Sequence, residues 1–322
     1  MRWVIDMDGL PWEHELAGLG GHPLQSARWG EARSVVDSIP HQRWAALEPD
    51  GRCVFMARVE TRTVRAVGKV AWIPRGPATA ANVQMSGIYR DFLDHLRAER
   101  YMLCVDDPYL HRAPDAVAGK PLFPKPRTIL IDLTLGKDRL MANLHSQWRA
   151  GVRAAARAGV SVAGAREPGE VAKFYSMCES TSRDKGFELP GSEALMIALC
   201  RQEPGPDTEA VLLLARYEGQ VAAGALALRC GRSVHYMWGA SDRSFAKQRP
   251  GEAVQWAMIE WALQRRCTTY DLEGVVPDPN SGVYAFKRRM GGAEIDLPGK
   301  EAFQLSTRGA LALRVAQWLR RL

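Results

Sequence analysis

Residues 209–239 read EAVLLLARYEGQVAAGALALRCGRSVHYMWG and hold three apolar runs in close succession. The runs are Glu209–Tyr217, Val221–Cys230 and Ser233–Gly239, and the dipeptides Glu218-Gly219 and Gly231-Arg232 separate them. Strand-length apolar runs joined by short glycine-bearing links are typical of antiparallel hairpins. The stretch therefore predicts a three-stranded meander.

The same order of elements occurs in both halves of the chain. A helix-spaced apolar face over Gly251–Gln264 and a strand at Thr268–Leu272 follow the meander. The earlier set is a strand, a strand, a helix and a strand, at Cys53–Glu60, Thr63–Trp72, Ser86–Ala98 and Tyr101–Val105. The turn between its first two strands is predicted at Glu60–Arg62. We therefore predict an α/β (α+β) fold with two mixed sheets, each flanked by helices.

The chain length agrees with two such halves. It has 322 residues, and about 150 residues per domain suggests two domains. The predicted boundary precedes a long helix at Lys137–Gly159, which gives domains at 1–136 and 137–322. The two halves show no close sequence repeat.

Composition excludes several classes of protein. Hydrophobic residues make up 46% and charged residues 25%, as in a folded globular protein. No apolar stretch reaches the ~18–20 residues that cross a bilayer, and the N-terminal apolar run is too short and too acidic for a secretory signal. The six cysteines lack Cys-x-x-Cys spacing, and the seven histidines lack His-x-x-x-His spacing. We predict a cytoplasmic protein with reduced thiols and no metal.

Two features point to anionic ligands. Gln248–Ala253 fits the loose Gln/Arg-x-x-Gly-x-Gly/Ala pattern of acyl-CoA acetyltransferases, although Pro250 removes one amide donor of a pyrophosphate cradle. On the predicted long helix, i, i+4 spacing aligns Arg149, Arg153 and Arg157 on one face. This face is either a solvated stripe or a contact for RNA phosphates. Further arginines near the C-terminus could pack, touch acidic lipid headgroups or meet RNA; they are Arg308, Arg314, Arg320 and Arg321.

Six ordered segments carry a resemblance to a known family. Residues 72–77 read WIPRGP, residues 24–30 contain Leu-Gln-Ser and Trp-Gly, and residues 128–133 form a strand with Ile-Asp-Leu. An arginine-rich helix ends in Gly159-Val160, residues 270–275 read YDLEGV, and residues 284–292 contain Tyr-x-Phe-Lys and Gly-Gly. From about residue 22 to about residue 300, the chain resembles the Fem aminoacyltransferases, the FemA, FemB and FemX group.

The resemblance implies a specific architecture and reaction. Fem enzymes have two tandem acetyltransferase-like (GNAT-like) domains and move an amino acid from aminoacyl-tRNA to an amine of the peptidoglycan stem peptide, building the interpeptide bridge. Residues 187–209 leave no room for a long coiled-coil arm, so the chain resembles the short FemX type. The implied partners are aminoacyl-tRNA and a UDP-MurNAc-pentapeptide or lipid-linked precursor. Peripheral contact with a membrane surface and a monomeric state are also expected.

The resemblance implies a catalytic role for Lys287, with Phe286 as its support. An aminoacyl ester is already activated, so no cofactor is expected. Aminolysis still requires stabilisation of a tetrahedral oxyanion, and a fixed lysine cation suits that task. No Ser-His-Asp set is apparent, which argues against an acyl-enzyme intermediate. The arginine stripe at Arg149, Arg153 and Arg157 would be the tRNA contact.

The acceptor residues are likewise assigned by resemblance. Either Asp106 or Asp107 would position the acceptor amine, because a carboxylate with a pKa of about 3.9 is a poor base for an ammonium of about 10.4. Phe187 and Trp238 stand where Tyr is common in the family. The full set of predicted substrate-binding residues is Arg33, Trp29, Arg75, Tyr101, Asp106, Asp107, Arg183, Phe187, Tyr236, Trp238 and Tyr284.

The sequence is compatible with three other functions. The chain could be a plain acetyltransferase that uses acetyl-CoA, or a non-catalytic adaptor that binds RNA or lipid through its arginines. The same tRNA-dependent chemistry could also act on a peptide-like metabolite, an antibiotic or a lipid, because a fold does not determine a substrate. The net charge of +7 suits polyanionic partners and predicts binding that weakens as salt rises.

Overall fold

The computed structural model describes the backbone of residues 1–6, 10–278 and 281–319, with side chains in the last helix described up to residue 314. Its strands, in chain order, are β1 (Arg2–Ile5), β2 (His41–Leu47), β3 (Cys53–Val64), β4 (Gly68–Ile73), β5 (Ala78–Thr79), β6 (Leu103–Asp106), β7 (Lys120–Pro121), β8 (Arg127–Asp132), β9 (Ser161–Ala165), β10 (Thr208–Tyr217), β11 (Gln220–Cys230), β12 (Ser233–Ser241), β13 (Thr269–Asp271), β14 (Ala293–Asp296) and β15 (Glu301–Gln304).

The α-helices flank two separate sheets. In chain order they are α1 (Trp12–Gly18), α2 (Ala27–Asp37), α3 (Met85–Ala98), α4 (Gly136–Asn143), α5 (Ser146–Arg157), α6 (Pro168–Lys185), α7 (Glu193–Arg201), α8 (Pro250–Gln264), α9 (Gly282–Arg288) and α10 (Thr307–Leu319). The elements form two compact units, one of Met1–Pro126 with Asp296–Leu322 and one of Arg127–Ile295.

The first unit is built on a mixed sheet. Within the described residues it has eight strands in the order β1-β2-β3-β4-β6-β15-β7, and β5 pairs with β3. Strands β4 and β6 are parallel, so the chain crosses over between them through α3. The predicted helical periodicity of α3 is confirmed, because Ile88, Phe92 and Leu96 are buried in a core that includes Trp44 and Phe55.

The second unit repeats this plan. Its strand order is β14-β8-β13-β12-β11-β10-β9, in which β10, β11 and β12 form the predicted antiparallel meander. Strands β12 and β13 are parallel, and α8 makes the crossover. Met258 and Ile259 of α8 pack with Val234 and Tyr270 in the core. Both units therefore confirm the predicted fold class, two mixed sheets flanked by helices.

The predicted turn at Glu60–Arg62 is wrong. Strand β3 continues to Val64, and the turn falls at residues 65–67. Alternate residues of a strand share one face, and on this face Nη2 of Arg58 and of Arg62 bind the Glu60 carboxylate at 2.9 and 2.7 Å. The charges suggested a solvated turn, but they neutralise one another within the strand.

The single long helix predicted at Lys137–Gly159 is also wrong. Leu144 and His145 have extended backbone conformations that separate α4 from α5. Nδ1 of His145 accepts the Gln147 amide hydrogen at 3.3 Å, and Nη1 of Arg149 donates to the carbonyls of Ala142 and Leu144 at 2.8 and 3.1 Å. Side chains satisfy the backbone groups at the break, which a periodicity pattern does not reveal.

The compact units also differ from the predicted domain limits of 1–136 and 137–322. The division falls after Pro126, and residues from Asp296 onward return to the first unit. The reason is strand pairing at long range, because β15 lies antiparallel to both β6 and β7. Across the described part of the chain, no helix has the length and apolarity needed to span a bilayer.

Candidate active site

The second unit holds Lys287 in a buried position with defined partners. The side chain lies on α9, and 9% of the residue surface is exposed. Its Nζ donates to the carbonyl oxygens of Glu273 at 3.3 Å and Gly274 at 3.1 Å, and it lies 5.5 Å from the Tyr236 ring centroid. An ammonium has three N–H donors. Among the described residues these two carbonyls are its acceptors, so one N–H remains for a bound group.

The electrostatics of this position are those of a cation in a partly dehydrated site. Burial lowers the pKa of Lys287 from 10.5 to about 8, although the Glu273 and Asp271 carboxylates act in the opposite direction. Below about pH 8 the side chain is therefore mainly an ammonium. A fixed positive charge away from bulk water interacts more strongly with a developing anion than a solvated lysine does.

The connection from β13 to α9 explains the Tyr-Asp-x-x-Gly motif. The buried carboxylate of Asp271 accepts hydrogen bonds from the Thr128 hydroxyl and, at 2.7 Å, from the Glu273 amide. Glu273 itself has a φ of +55°, and its Oε1 accepts from Nδ1 of the fully buried His235 at 2.8 Å. Tyr270 anchors the strand by donating to Oε1 of Gln255 at 2.7 Å. These bonds fix the two carbonyls that hold Lys287.

The aromatic residues beside Lys287 have different environments. Phe286 packs on α5, with its ring centroid 5.7 Å from that of Trp148. The Tyr284 hydroxyl donates to Oε1 of Glu294 at 2.6 Å, and Nη1 of Arg288 binds the same oxygen at 2.8 Å. The structure thus places Phe286 in the packing beneath α9 and Tyr284 in an ion cluster, while Tyr236 supplies the aromatic face near the lysine.

The other predicted residues of this unit spread along α6 and β12. Trp238 is buried, and its Nε1 donates to the Pro190 carbonyl at 2.7 Å, which ties the segment after α6 to β12. Phe187 is 46% exposed, and Arg183 is exposed near the end of α6. Trp238 therefore serves as an anchor of this segment, whereas Arg183 and Phe187 have side chains open to solvent.

The start of α8 occupies the predicted acyl-CoA loop. Arg249 adopts the left-handed conformation, and Pro250 is the first helical residue. Oε1 of Glu252, in the first turn, lies 3.3 Å from Nη1 of Arg249. A carboxylate already takes the positive end of the helix dipole, and Pro250 lacks an amide hydrogen. Both features disfavour a pyrophosphate at this helix terminus.

In the first unit, the Gln-Ser-x-x-Trp-Gly and Pro-Arg-Gly-Pro segments meet. The buried Gln25 side chain donates to the Pro74 carbonyl at 2.6 Å and accepts from the Arg58 amide at 2.7 Å. A Cβ added to Gly76 would lie 2.5 Å from Gln25 Cδ, and one added to Gly30 would lie 2.6 Å from a ring nitrogen of His41. The spacing of these motifs thus follows from close packing between the two segments.

Three predicted residues border this packed junction. Ser26 accepts the amide hydrogen of Trp29 at 3.1 Å and so caps α2, which buries Trp29. Nη1 of Arg33, one turn later, binds Oδ2 of Asp37 at 2.5 Å. Arg75 has a φ of +53° in the turn after β4. Arg33 and Arg75 are partly exposed.

The structure distinguishes Asp106 from Asp107. Asp106 is fully buried, its two oxygens accept from Nη2 and Nη1 of Arg112 at 2.7 and 3.1 Å, and the Tyr89 hydroxyl also donates to it. Burial raises the pKa of Asp106 to about 7, although Arg112 acts to lower it. The Asp107 amide donates to the Gly76 carbonyl at 3.0 Å. Within the described part of the chain, its buried Oδ1 has no hydrogen-bond partner.

Tyr101 lies elsewhere, in the core of the first unit. It is 1% exposed, its hydroxyl is 2.6 Å from Oγ1 of Thr61, and Nζ of Lys69 lies 3.9 Å from its ring centroid. The predicted role of Tyr101 in substrate binding does not fit this position, because its hydroxyl is already paired inside the core.

The break between α4 and α5 removes one arginine from the predicted exposed stripe. Arg149 binds carbonyls at the end of α4, whereas Arg153 and Arg157 remain exposed on α5. On α10, Arg308 and Arg314 are exposed. Arg320 and Arg321 lie outside the described residues.

The motifs did not identify every residue of these sites. Tyr89 lies beside the apolar stripe of α3, so the helical spacing provides a signal that its hydroxyl faces the protein interior. Arg112 directly precedes the proline-rich stretch at residues 113–126, and His235 is one of alternating residues of β12. The spacing along the chain does not reveal either residue, because Arg112 bonds to Asp106 at the end of β6 and His235 bonds to Glu273, which lies after β13.

Parts of the chain are similar in sequence to known proteins. Residues 142–288 match the acetyltransferase (GNAT) domain family. The lipid II:glycine glycyltransferase of Staphylococcus aureus is 34% identical over 79 residues, which are 23% of this chain and 19% of that protein. The chain therefore matches about a fifth of the length of these curated relatives.

Solved structures share the fold over almost the whole chain. FemX superposes with a TM-score of 0.81 at 17% identity and covers 98% of this chain and 100% of its own. L-PGS from Bacillus licheniformis has a TM-score of 0.59 at 14% identity, with 96% of each chain covered. Residues 142–288 of the second unit thus match the GNAT domain family, the chain has the same fold as FemX, and the resemblance to the Fem family that its motifs predicted is confirmed.

Proposed function

We propose that this chain transfers an amino acid from aminoacyl-tRNA to an amine of a peptidoglycan-precursor stem peptide. The observation that carries the proposal is the buried Lys287 ammonium, for which the described residues supply two carbonyl acceptors and leave one N–H for a bound group. In aminolysis the acceptor nitrogen attacks the ester carbonyl, and the resulting oxyanion needs a donor. Collapse of the intermediate forms the amide, and the terminal ribose hydroxyl leaves with a proton.

The acceptor amine is assigned to Asp107 in preference to Asp106. Both oxygens of Asp106 are held by Arg112, whereas Oδ1 of Asp107 lacks a hydrogen-bond partner within the described residues. A carboxylate at this position would orient the acceptor amine by accepting its N–H hydrogens, and the neutral amine is the form that attacks. Arg33 would contact the diphosphate of the same precursor, because guanidinium groups match phosphate oxygens.

The relatives support the substrate class at a coarse level. The Staphylococcus aureus proteins are named for glycyl transfer to lipid II, which favours a stem-peptide acceptor and is compatible with either carrier, lipid or nucleotide. We propose that no cofactor takes part, since the aminoacyl ester is activated before it binds. Arg153 and Arg157 are the proposed tRNA contacts, and a cytoplasmic monomer that touches the membrane surface is the proposed state.

The test mixes the purified full chain with labelled aminoacyl-tRNAs and either the UDP-linked pentapeptide or its lipid-linked form. We expect label in the muropeptide, and we expect ribonuclease pretreatment to abolish it. Transfer that survives ribonuclease, or label in neither acceptor with any charged tRNA, would refute the proposal. Label in a peptide-like metabolite alone would retain the chemistry and reject the cell-wall acceptor.

Acetyl-CoA is tested separately because the fold is shared with acetyltransferases. Pro250 and the Glu252 carboxylate at the start of α8 predict that isothermal titration with acetyl-CoA shows no binding. Micromolar binding would favour the acetyltransferase reading.

A further inference from the structure

We propose that Glu273 and His235 are positioning residues that hold the Lys287 ammonium where it can contact the reacting ester. The inference rests on the proposed function for the reaction that this lysine serves. It concerns residues of the second unit, and the geometry can be tested without substrate. Glu273 lies between the lysine and the buried histidine, and it contacts each through a different group.

The backbone of Glu273 makes the first contact. Its carbonyl is one of the two oxygens that accept from Nζ of Lys287, and the next carbonyl, of Gly274, is the other. The direction of both carbonyls depends on the backbone of this turn. The Glu273 amide donates to Oδ1 of Asp271, so the turn is tied to the end of β13 on its amino-terminal side.

The side chain of Glu273 makes the second contact. Its carboxylate accepts from Nδ1 of His235 at 2.8 Å, and His235 is fully buried in the middle of the sheet on β12. Glu273 has a φ of +55°, a region that glycine enters without steric cost and other residues rarely adopt. Glycine would adopt this conformation more easily than glutamate does. We therefore attribute the glutamate at this position to the contact between its carboxylate and His235.

Charge gives the pair a second effect on the lysine. The carboxylates that face Lys287 are those of Glu273 and Asp271, and both raise its pKa against the lowering effect of burial. Other titratable groups of the second unit described near Lys287 include the phenol of Tyr236 and the imidazole of His235, both on β12. The Asp271 carboxylate is bonded to Thr128 and to the Glu273 amide. The charge of Glu273 can be removed without loss of these two bonds, so Glu273 is the residue to vary.

The experiment compares Glu273→Gln with the wild-type chain. Glutamine preserves the size of the side chain and an acceptor for His235, but it removes the charge. The pKa of Lys287 is measured without substrate by ¹³C-methylation of the lysines and NMR titration, with the Lys287 signal identified by its loss in Lys287→Arg. We expect the pKa of Lys287 to fall below its wild-type value, and the alkaline limb of the transfer rate to move to lower pH by the same amount.

A second pair of variants separates position from charge. In His235→Asn the amide N–H can replace the Nδ1 donor, whereas His235→Leu has no donor. We expect His235→Leu to lower kcat by on the order of tenfold with KM for the acceptor unchanged, and His235→Asn to restore most of it. Glu218→Gln is the matched control, because Glu218 is an exposed glutamate in the β10–β11 turn with a φ of +49°.

The outcomes distinguish this inference from the proposed function. An unchanged Lys287 pKa in Glu273→Gln, or equal losses in His235→Asn and His235→Leu with both folded by circular dichroism, would overturn the positioning role. A lowered Lys287 pKa in a chain that transfers nothing from any aminoacyl-tRNA would support the positioning role while the proposed function fails.

Discussion

Replacing Lys287 by methionine tests the central assignment most directly. Methionine has a similar length and fits an apolar site, but it provides neither charge nor N–H donor. The variant removes both hydrogen bonds to the carbonyls of Glu273 and Gly274 and the donor that we assign to the oxyanion. Lys287→Arg is the matched control, because it retains a positive charge in a different shape.

The effect on catalysis follows from the loss of one oxyanion donor. Removal of such a donor costs roughly 10²- to 10³-fold in kcat. Because the ammonium acts on the transition state, KM for either substrate should change little. The wild-type rate should also decline above about pH 8, where the Lys287 ammonium loses its proton.

The effect on stability is expected to be small at pH 7. A pKa of about 8 in the folded state against 10.5 for a free lysine means that charging the buried group costs about 3 kcal/mol. The variant removes this cost but leaves two carbonyls without their donor, at about 1–3 kcal/mol each. The unfolded state binds the lysine proton up to about pH 10.5, so the stability of the wild type should rise relative to the variant between about pH 8 and 10.5.

The assay measures label transfer from aminoacyl-tRNA to the precursor under single-turnover conditions, together with urea unfolding of each variant. A Lys287→Met variant that unfolds at the wild-type midpoint and transfers at the wild-type rate would refute the assignment. If Lys287→Met is both inactive and unfolded, the Lys287→Arg control tests the assignment instead. That variant should remain folded and show partial activity.

Three further predictions concern other parts of the chain. Asp107→Asn should raise KM for the acceptor by roughly 10- to 100-fold, as measured by varying precursor at saturating tRNA; an unchanged KM would remove Asp107 from the acceptor site. Gly76→Ala should lower the free energy of unfolding in urea by about 1–3 kcal/mol, because its Cβ would meet Gln25, and a stability equal to wild type would contradict this packing. Replacing Arg153 and Arg157 by Gln should weaken tRNA binding and reduce its salt dependence; binding curves that superpose on wild type at every salt concentration would exclude this face of α5 as the tRNA contact.

Elements whose signal is local could be predicted from the sequence. The meander strands and α8 are largely apolar along their length, and α3 buries one face at helical spacing, so these elements are visible along the chain. The ordered motifs also identified the Fem resemblance and singled out Lys287. The Glu60–Arg62 turn and the long helix failed where polar side chains satisfy one another inside an element or at a break.

The candidate site divides in the same way. The sequence could name Asp106 and Asp107 as a pair but could not choose between them, because the choice depends on Arg112. The family resemblance assigned Tyr101 to substrate binding, whereas the structure buries its hydroxyl against Thr61.

By itself, the sequence determined which side chains are available and where the strands of the meander, α3 and α8 lie. The tertiary structure alone decided that β15 joins the sheet of the first unit, that His235 supports Glu273, and that Lys287 is buried beneath two carbonyls. The physical reason is that strand pairing and ion pairing join residues far apart in the chain. Burial, which sets the charge and the donor geometry of Lys287, exists only once those pairs have formed.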